Sequence, residues 1–403
     1  MKTQPVKGTK DFLPIEQDLR ENIRKIIEET YINAGFNKIS TPILEDLENL
    51  NKSDGGDNLN LIFKILKRGD KLDKAINEGD YDNLSDLGLR YDLTLPLTRF
   101  YANNKENLPK PFKSLQIDRV YRADRPQNGR MREFYQCDID ILGSNNLTCE
   151  VELILTTMQA LNNLGLKNLT LKINDRKLLN ELLLSFGYNE NELLSVCVIL
   201  DKLDKIGINA IIEELNLKGL NNEKLINFLN DPKLINFNEF ESKKNLDYII
   251  STVKKLSNNT FNIEFDITLV RGQSYYTGTV FEVYSNDFSG AIAGGGRYDN
   301  LIGKFIEETV PAVGFSIGFE RICNILTNNN IFFNAKSKIA VFYDETNFEE
   351  KYKLAQKLKE NYIVSLFESP KKFSKFLDKL VSINYSGFIG LNSTEIKFFK
   401  KVN

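Results

Sequence analysis

The densest group of reactive side chains lies between residues 119 and 140, which read RVYRADRPQNGRMREFYQCDID. Five arginines surround a Pro-Gln-Asn-Gly turn, and the aromatic and apolar residues on both sides predict strand, loop and strand. Guanidinium groups offer forked N–H donors that suit phosphate better than lysine does. The acidic side chains among them can hold a cationic group beside that phosphate. Taken alone, the segment is more typical of a salt-bridged hairpin.

Three later segments carry further candidate chemistry. LVRGQSYYTGTVFEV (269–283) places Arg271 beside a glycine and two tyrosines, although such a tyrosine pair is more often structural. AIAGGGRYDNL (291–301) lacks the GK[ST] of a phosphate-binding P-loop, so its glycines fit the close approach of backbone to a small ligand. PAVGFSIGFERI (311–322) spaces two glycines and Arg321 so that the arginine falls on a closely approached helix.

Composition excludes several classes of site. The 403 residues contain no histidine, which rules out an imidazole base, nucleophile or metal ligand. Four cysteines lie far apart without a CxxC pair, so neither a zinc site nor a disulfide framework is predicted. The net charge is −2, but residues 335–403 hold thirteen Lys against eight acidic residues, a balance compatible with RNA contact. No apolar run of membrane-spanning length and no signal peptide occur, which predicts a cytoplasmic protein without a membrane partner.

The elements that must position these side chains follow from periodicity. Helical spacing predicts helices over 16–34 and 148–164, and alternation predicts strands over 169–175, 263–270 and 279–285. From 176 to 258 Leu-rich helical segments follow one another, which indicates a helical insertion. A final α/β unit is predicted with strands 338–343, 363–367 and 387–391 and helices 348–360 and 371–382.

Taken in order, the segments resemble a known family. Residues 8–46, 119–140 and 311–322 resemble motifs 1, 2 and 3 of class II aminoacyl-tRNA synthetases. RGQSYYTGTVFE and AGGGRYDNL are similar to the two histidine-binding signatures of histidyl-tRNA synthetases. LRYDLTLPLTR and CVILDKLDKIG also resemble that family, so the similarity covers nearly the whole chain.

The resemblance implies an α+β fold with a class II antiparallel-sheet catalytic core, a helical insertion and a small α/β anticodon-binding-like domain. The implied domains are 1–175 with 259–325 for the core, 176–258 for the insertion, and 335–403 for a shortened anticodon-binding-like domain. The implied reaction is ATP-dependent activation of L-histidine to the adenylate and its transfer to tRNA(His). Mg²⁺ and a homodimer are implied as well. A carboxylate attacking phosphate is already anionic, so the first step needs arginines and Mg²⁺ and no histidine base.

The same resemblance assigns roles to individual residues. It places catalytic cations at Arg122 and Arg271. It places ATP contacts at Arg122, Asp124, Arg130, Phe134 and Arg321. It places histidine contacts at Asp92, Thr94, Gln136, Asp140, Arg271, Tyr275 and Tyr276. It places the tRNA acceptor loop at Arg125 and Gln127. Strand alternation in addition sends Asp138 to the same face as Asp140.

Two departures from the family pattern keep a rival function open. Gln273 and Ser274 replace the usual Leu-Asp before the tyrosines, and the chain ends at EIKFFKKVN, where the family usually continues. The rival is a histidine-binding regulatory subunit of ATP phosphoribosyltransferase, which does not charge tRNA. Such proteins typically lose catalytic arginines, and the presence of Arg122, Arg271 and Arg321 favours the enzyme.

Overall fold

The computed structural model describes residues 1–52, 60–125, 130–220, 222–231, 235–270, 275–329, 331, 333 and 336–400. The chain divides into two compact units, the first with residues 1–10 and 23–328 and the second with residues 11–22 and 329–403. In the described ranges no helix is long and apolar enough to cross a membrane. The predictions that concern Gln127, Arg271, Gln273 and Ser274 lie outside the described residues.

The first unit contains two sheets. Its strands are β1 (Asn37–Lys38), β2 (Leu44–Asp46), β3 (Lys64–Leu66), β4 (Ser85–Leu89), β5 (Phe112–Tyr121), β6 (Glu133–Leu142), β7 (Leu169–Asp175), β8 (Asn262–Phe265), β9 (Thr279–Ser285), β10 (Ala291–Arg297) and β11 (Ala312–Gly318). Eight strands lie in the order β1-β5-β6-β11-β10-β9-β7-β8, antiparallel throughout the centre, with a parallel pair at each edge. A small antiparallel sheet has the order β2-β4-β3. The predicted antiparallel core is therefore confirmed, with mixed edges.

Eleven α-helices precede residue 329 in the described ranges. They are α1 (Pro14–Asn33), α2 (Leu47–Lys52), α3 (Asp70–Asn77), α4 (Thr94–Asn104), α5 (Thr148–Asn163), α6 (Arg176–Phe186), α7 (Glu190–Leu200), α8 (Leu203–Leu217), α9 (Glu223–Asn230), α10 (Glu241–Leu256) and α11 (Phe319–Asn328). Helix α1 buries Ile23, Ile27 and Tyr31, which repeat every four residues and so share one face. Helices α6 to α10 occupy the stretch predicted to be helical, and the boundaries proposed for an insertion domain stay a prediction.

The central sheet has one apolar and one polar face. In β6 the side chains of Cys137, Ile139 and Ile141 are fully buried, and α11 and α5 pack against β6 and β11. Because successive side chains of a strand point to opposite faces, Gln136, Asp138 and Asp140 must point away from Cys137, Ile139 and Ile141. The polar face of the sheet is where the candidate site lies.

A buried ion pair connects α5 to β10. Arg297 Nε and Glu150 Oε1 are 2.7 Å apart, and Arg297 Nη2 donates to Glu150 Oε2 at 2.8 Å. Glu150 is wholly buried, and it also accepts from the Thr279 hydroxyl at 3.0 Å. Arg297 reaches Asp299 Oδ1 at 3.2 Å, so each charge has several partners, as a buried ion pair requires.

The second unit is a small α/β structure. Its elements are β12 (Lys338–Tyr343), α12 (Phe348–Leu358), β13 (Ile363–Glu368), α13 (Phe373–Ser382), β14 (Tyr385–Ile389) and β15 (Lys397–Phe398). The strand order is β13-β12-β14-β15, with the first three parallel and β15 antiparallel to β14. Side chains of β12 alternate between a cluster with α12 and a Phe-rich cluster with α13. The predicted third strand begins two residues earlier than expected, and β15 was not predicted.

The buried ion pair generates a stability prediction. We expect Glu150→Ala to lower the free energy of unfolding by about 3–5 kcal/mol, because Arg297 is left as an uncompensated buried charge. The matched control is Glu152→Ala on the same helix, since Glu152 pairs with Lys113 in a partly exposed position. Such a pair contributes about 0–1 kcal/mol. Urea titrations of both variants measure the difference, and equal effects would contradict the assigned role of the pair.

Candidate active site

A cavity of about 410 Å³ opens on the polar face of the central sheet. It contains every described residue that the sequence predicted for the ATP and histidine sites. These residues are Asp92, Thr94, Arg122, Asp124, Arg130, Phe134, Gln136, Asp140, Tyr275, Tyr276 and Arg321. Arg125 does not line the cavity and is exposed, as suits a residue predicted for the tRNA acceptor loop. Residues distant in sequence thus share one cavity, while their individual roles stay predictions.

Glycines make room for the acidic side chains on this face. Gly314 in β11 lies opposite Asp140 in β6, and a Cβ atom at Gly314 would be 1.9 Å from Asp140 Oδ1. At Gly296 in β10 a Cβ atom would be 2.8 Å from the Tyr276 ring. A real Cβ cannot approach so closely, so the glycine run forms a strand whose bare backbone supports the pocket.

The inner end of the cavity combines one carboxyl group with three phenols. The Tyr298 hydroxyl donates to Asp140 Oδ1 at 2.6 Å. The Tyr275 ring lies 4.9 Å from that of Tyr276 and 5.9 Å from that of Tyr298, measured between centroids. A planar heterocycle with two polar nitrogens fits such a group, because phenols and a carboxyl group supply both donors and acceptors.

Burial controls the ionisation of this end. It raises the pKa of Asp140 to about 7, an effect that the Tyr298 hydrogen bond opposes and the charge of Asp92 reinforces. Burial also raises the pKa of Asp138 well above its usual range, and the neighbouring charge of Asp140 adds to the shift. Burial likewise raises the pKa of Asp92, and the hydrogen bond from the Leu95 N–H and the charge of Arg122 oppose this effect. Three buried carboxyl groups therefore share few hydrogen-bond donors and one nearby cation, Arg122.

Arginine side chains that line the same cavity carry positive charge. Arg122 Nε donates to the Tyr91 carbonyl at 2.9 Å, which orients the guanidinium group over the Phe134 ring, 5.1 Å from its centroid. The hydrogen bonds of the described residues leave its terminal nitrogens available to a ligand. Arg321, in the first turn of α11, donates to the Ala291 carbonyl and lies 5.8 Å from the centroid of Phe288. Terminal guanidinium nitrogens facing a cavity suit a phosphate or carboxylate.

Several cavity residues were not predicted from the sequence. Tyr298 lies in the glycine-rich segment 291–301, and Glu320 directly precedes Arg321. Glu320 accepts from the Tyr135 backbone N–H at 3.3 Å, and Glu282 and Ser316 line the cavity from β9 and β11. Only pairing between β6, β10 and β11 brings Tyr298 to Asp140, so neighbouring residues along the chain do not reveal the contact.

Comparison with known proteins agrees with the geometry. The family described as histidyl-tRNA synthetase matches residues 8–322. A histidine–tRNA ligase of Leifsonia xyli subsp. xyli is 40% identical over 343 residues, covering 80% of each chain. The chain belongs to the histidyl-tRNA synthetase family. A second family member, the histidine–tRNA ligase of Cytophaga hutchinsonii, is 37% identical over 401 residues, which cover 92% of this chain and 88% of the relative.

Solved structures share the family fold. The histidyl-tRNA synthetase of Nostoc sp. PCC 7120 superposes with a TM-score of 0.77 at 25% identity, covering 97% of this chain and 91% of the other. A Bacillus halodurans protein, described as an ATP phosphoribosyltransferase regulatory subunit/histidyl-tRNA synthetase, has a TM-score of 0.76 at 23% identity, covering 94% and 97%. The second likeness shows the shared fold alone.

The raised pKa of Asp140 generates a pH prediction. An unfolded aspartate has a pKa of about 3.9, so between about pH 4 and 7 the folded state holds a proton that the unfolded state has released. Burial of Asp140 therefore lowers stability as pH rises through this range. We expect Asp140→Asn to be more stable than the wild type above pH 7, by up to about 4 kcal/mol, and equally stable near pH 4.

Urea titrations of both proteins between pH 4 and 8 measure this difference. Titrating groups remote from Asp140 cancel because both proteins contain them. The loss of the Asp140 charge also lowers the pKa of Asp138, which changes the stability difference in the same direction. A stability difference that stays constant with pH, or that favours the wild type at high pH, would contradict the raised pKa.

Proposed function

We propose that this protein is a histidine–tRNA ligase, which activates L-histidine with ATP and transfers it to tRNA(His). The observation that carries the proposal is the juxtaposition, in one cavity, of the Asp140–Tyr298 pair and the Arg122 guanidinium group. The Asp140–Tyr298 pair can hydrogen-bond to an imidazole, and the Arg122 guanidinium group can bind the anionic reacting groups. The curated relatives named histidine–tRNA ligase support this activity over the regulatory alternative.

Histidine binds, in this proposal, along the polar face of β6. Asp92, Thr94 and Gln136 receive the α-amino group. The imidazole lies against Asp140, with Tyr275 and Tyr276 beside it, and burial raises the pKa of Tyr275 so that its phenol keeps its proton. An amino acid without two polar ring atoms would leave these buried groups unpaired, a loss that gives strong discrimination.

Activation is the attack of the histidine carboxylate on the α-phosphate of ATP, with diphosphate leaving. Arg122 holds the α-phosphate, and Arg271 is proposed as the second cation. Arg130 and Arg321 contact the outer phosphates or flank the adenine, which stacks on Phe134 and donates its amino group to Asp124. Arginines fixed before the reaction stabilise the charge that develops at phosphorus, and no proton transfer is needed.

We propose that Mg²⁺ binds together with the nucleotide. The described residues hold no group of three or more acidic, cysteine or histidine side chains suited to a metal. Mg²⁺ at nucleotide sites is typically held by substrate phosphates with only one or two carboxylates, so this donor set fits. Glu282 and Glu320 line the cavity and are the carboxylates we propose. The ion would neutralise charge on the phosphates.

Transfer to tRNA(His) requires the ribose hydroxyl of the tRNA to lose a proton. Since the chain contains no histidine, we propose that a phosphate oxygen of the adenylate accepts it. Arg125 and Gln127 are proposed to contact the acceptor end, and the second unit, with its excess of lysine, to contact the tRNA elsewhere.

The proposed setting is a cytoplasmic homodimer. Large apolar side chains are exposed on the small sheet, with Leu44 at 51%, Leu66 at 57% and Leu87 at 38% relative exposure. Exposed leucines on all three strands of one sheet support a contact with a second copy, because soluble proteins seldom leave large apolar patches uncovered.

Histidine-dependent ATP–pyrophosphate exchange tests the proposed function. We expect exchange with histidine alone among the amino acids, reduced at least about 100-fold in Arg122→Ala, because a preorganised cation at the α-phosphate is lost. Arg119→Ala is the matched control from the same hairpin, since Arg119 pairs with Glu133 and does not line the cavity. Histidine binding without exchange would overturn the proposal and favour the regulatory function.

A further inference from the structure

Asp138 is a buried carboxyl group that the family comparison leaves without a role. It lies in β6 between Gln136 and Asp140, lines the cavity, and is only 4% exposed. Its Oδ1 atom accepts no hydrogen bond from the described residues, and its Oδ2 atom lies 3.5 Å from Gln136 Nε2, the limit of a hydrogen bond. A buried carboxylate so poorly paired is costly to the folded protein.

The surroundings of Asp138 make the cost larger. Asp140 and Asp92 act on it with like charge, and Arg122 is the cation that acts in the opposite sense. Ser316, opposite Asp138 in β11, provides only a hydroxyl group. If all three carboxyl groups are ionised, one arginine leaves the cluster with two uncompensated negative charges. A cationic ligand is what this cluster lacks.

The unpaired atoms indicate which cation fits. An ammonium group has three N–H donors and no acceptor. Besides Asp138 Oδ1, the buried Oε1 atom of the adjacent Gln136 accepts no hydrogen bond from the described residues. Asp92, within electrostatic range of Asp138, can supply a third acceptor. Asp140 is already engaged with Tyr298, which leaves the ammonium group to the other end of this row.

We propose that Asp138 binds the α-ammonium group of the amino-acid substrate and sets the requirement for a positive charge at that position. The inference rests on the proposed function, which makes histidine the occupant. It adds to Asp92, Thr94 and Gln136 a second carboxyl group beside the ammonium group, and the positive charge of the bound ligand favours the ionised form of that carboxyl group. Asp138 thereby selects an amino acid over an otherwise identical hydroxy acid.

The test compares Asp138→Asn with the wild type by calorimetric titration with two ligands. L-Histidine carries the α-ammonium group, and imidazolelactic acid carries a neutral hydroxyl group in its place. We expect the variant to bind histidine roughly 10- to 100-fold more weakly, the effect of losing a charge-assisted hydrogen bond, with affinity for imidazolelactic acid little changed. The preference of the wild type for the ammonium group should therefore largely disappear.

Stability separates binding from a structural role. Asn is nearly isosteric with Asp and removes a buried charge, so we expect the ligand-free variant to melt at a higher temperature than the wild type. Asp175→Asn is the matched control, because Asp175 is a buried aspartate that caps α6 outside the cavity, and Asn caps a helix equally well. It should leave both affinities unchanged.

Every remaining outcome contradicts either the role of Asp138 or the proposed function. Equal losses of affinity for both ligands, or a lower melting temperature with unchanged selectivity, would make Asp138 structural and overturn the inference. Unchanged histidine affinity would overturn it as well. Because binding is measured directly, a wild type that binds histidine through Asp138 but shows no exchange would overturn only the proposed function.

Discussion

The burial of three carboxyl groups on one face of a sheet is the constraint around which this molecule is organised. Asp92, Asp138 and Asp140 are almost inaccessible to water, and desolvation raises the pKa of each. Carboxylates in such a place are stable only beside hydrogen-bond donors or cations. Among the described residues, the protein supplies the Tyr298 hydroxyl, the Leu95 N–H, the Ser316 hydroxyl and one nearby arginine, Arg122. In the proposed function, a histidine zwitterion supplies further donors and positive charge. Folding thus leaves buried carboxyl groups that, in the proposed function, the positive charge of the substrate stabilises.

The backbone around these carboxyl groups must keep one conformation if the site is to select its ligand. Glu150 and Arg297 do this from behind the pocket, since Arg297 directly precedes Tyr298. The Arg297 carbonyl accepts from the Thr277 N–H at 2.8 Å, and the Thr277 hydroxyl accepts from the Asp299 N–H at 3.0 Å. The tyrosine segment is thereby tied to β10. One buried ion pair thus positions two walls of the proposed histidine pocket.

Much of this arrangement could be predicted from local pattern. Alternation in β6 places Asp138 beside Asp140, and helical spacing predicts α1 and α5, because both signals depend only on neighbours along the chain. What could not be predicted depends on strand register. Tyr298 reaches Asp140 because β10 pairs with β11 and β11 with β6, and the glycine run gave no sign of being a strand. Arg132, which had no predicted role, donates through Nε to the Asp124 carbonyl at 3.1 Å and so supports the start of the loop.

Charging of tRNA(His) distinguishes a functional ligase from a protein that only binds histidine. The full chain is incubated with ATP, a tRNA(His) transcript and each labelled amino acid in turn, and label on the tRNA is counted. The proposed function predicts ATP-dependent attachment of histidine alone, achieved by an enzyme that itself contains no histidine. Failure to label tRNA(His) with histidine, or equal labelling with another amino acid, would contradict it.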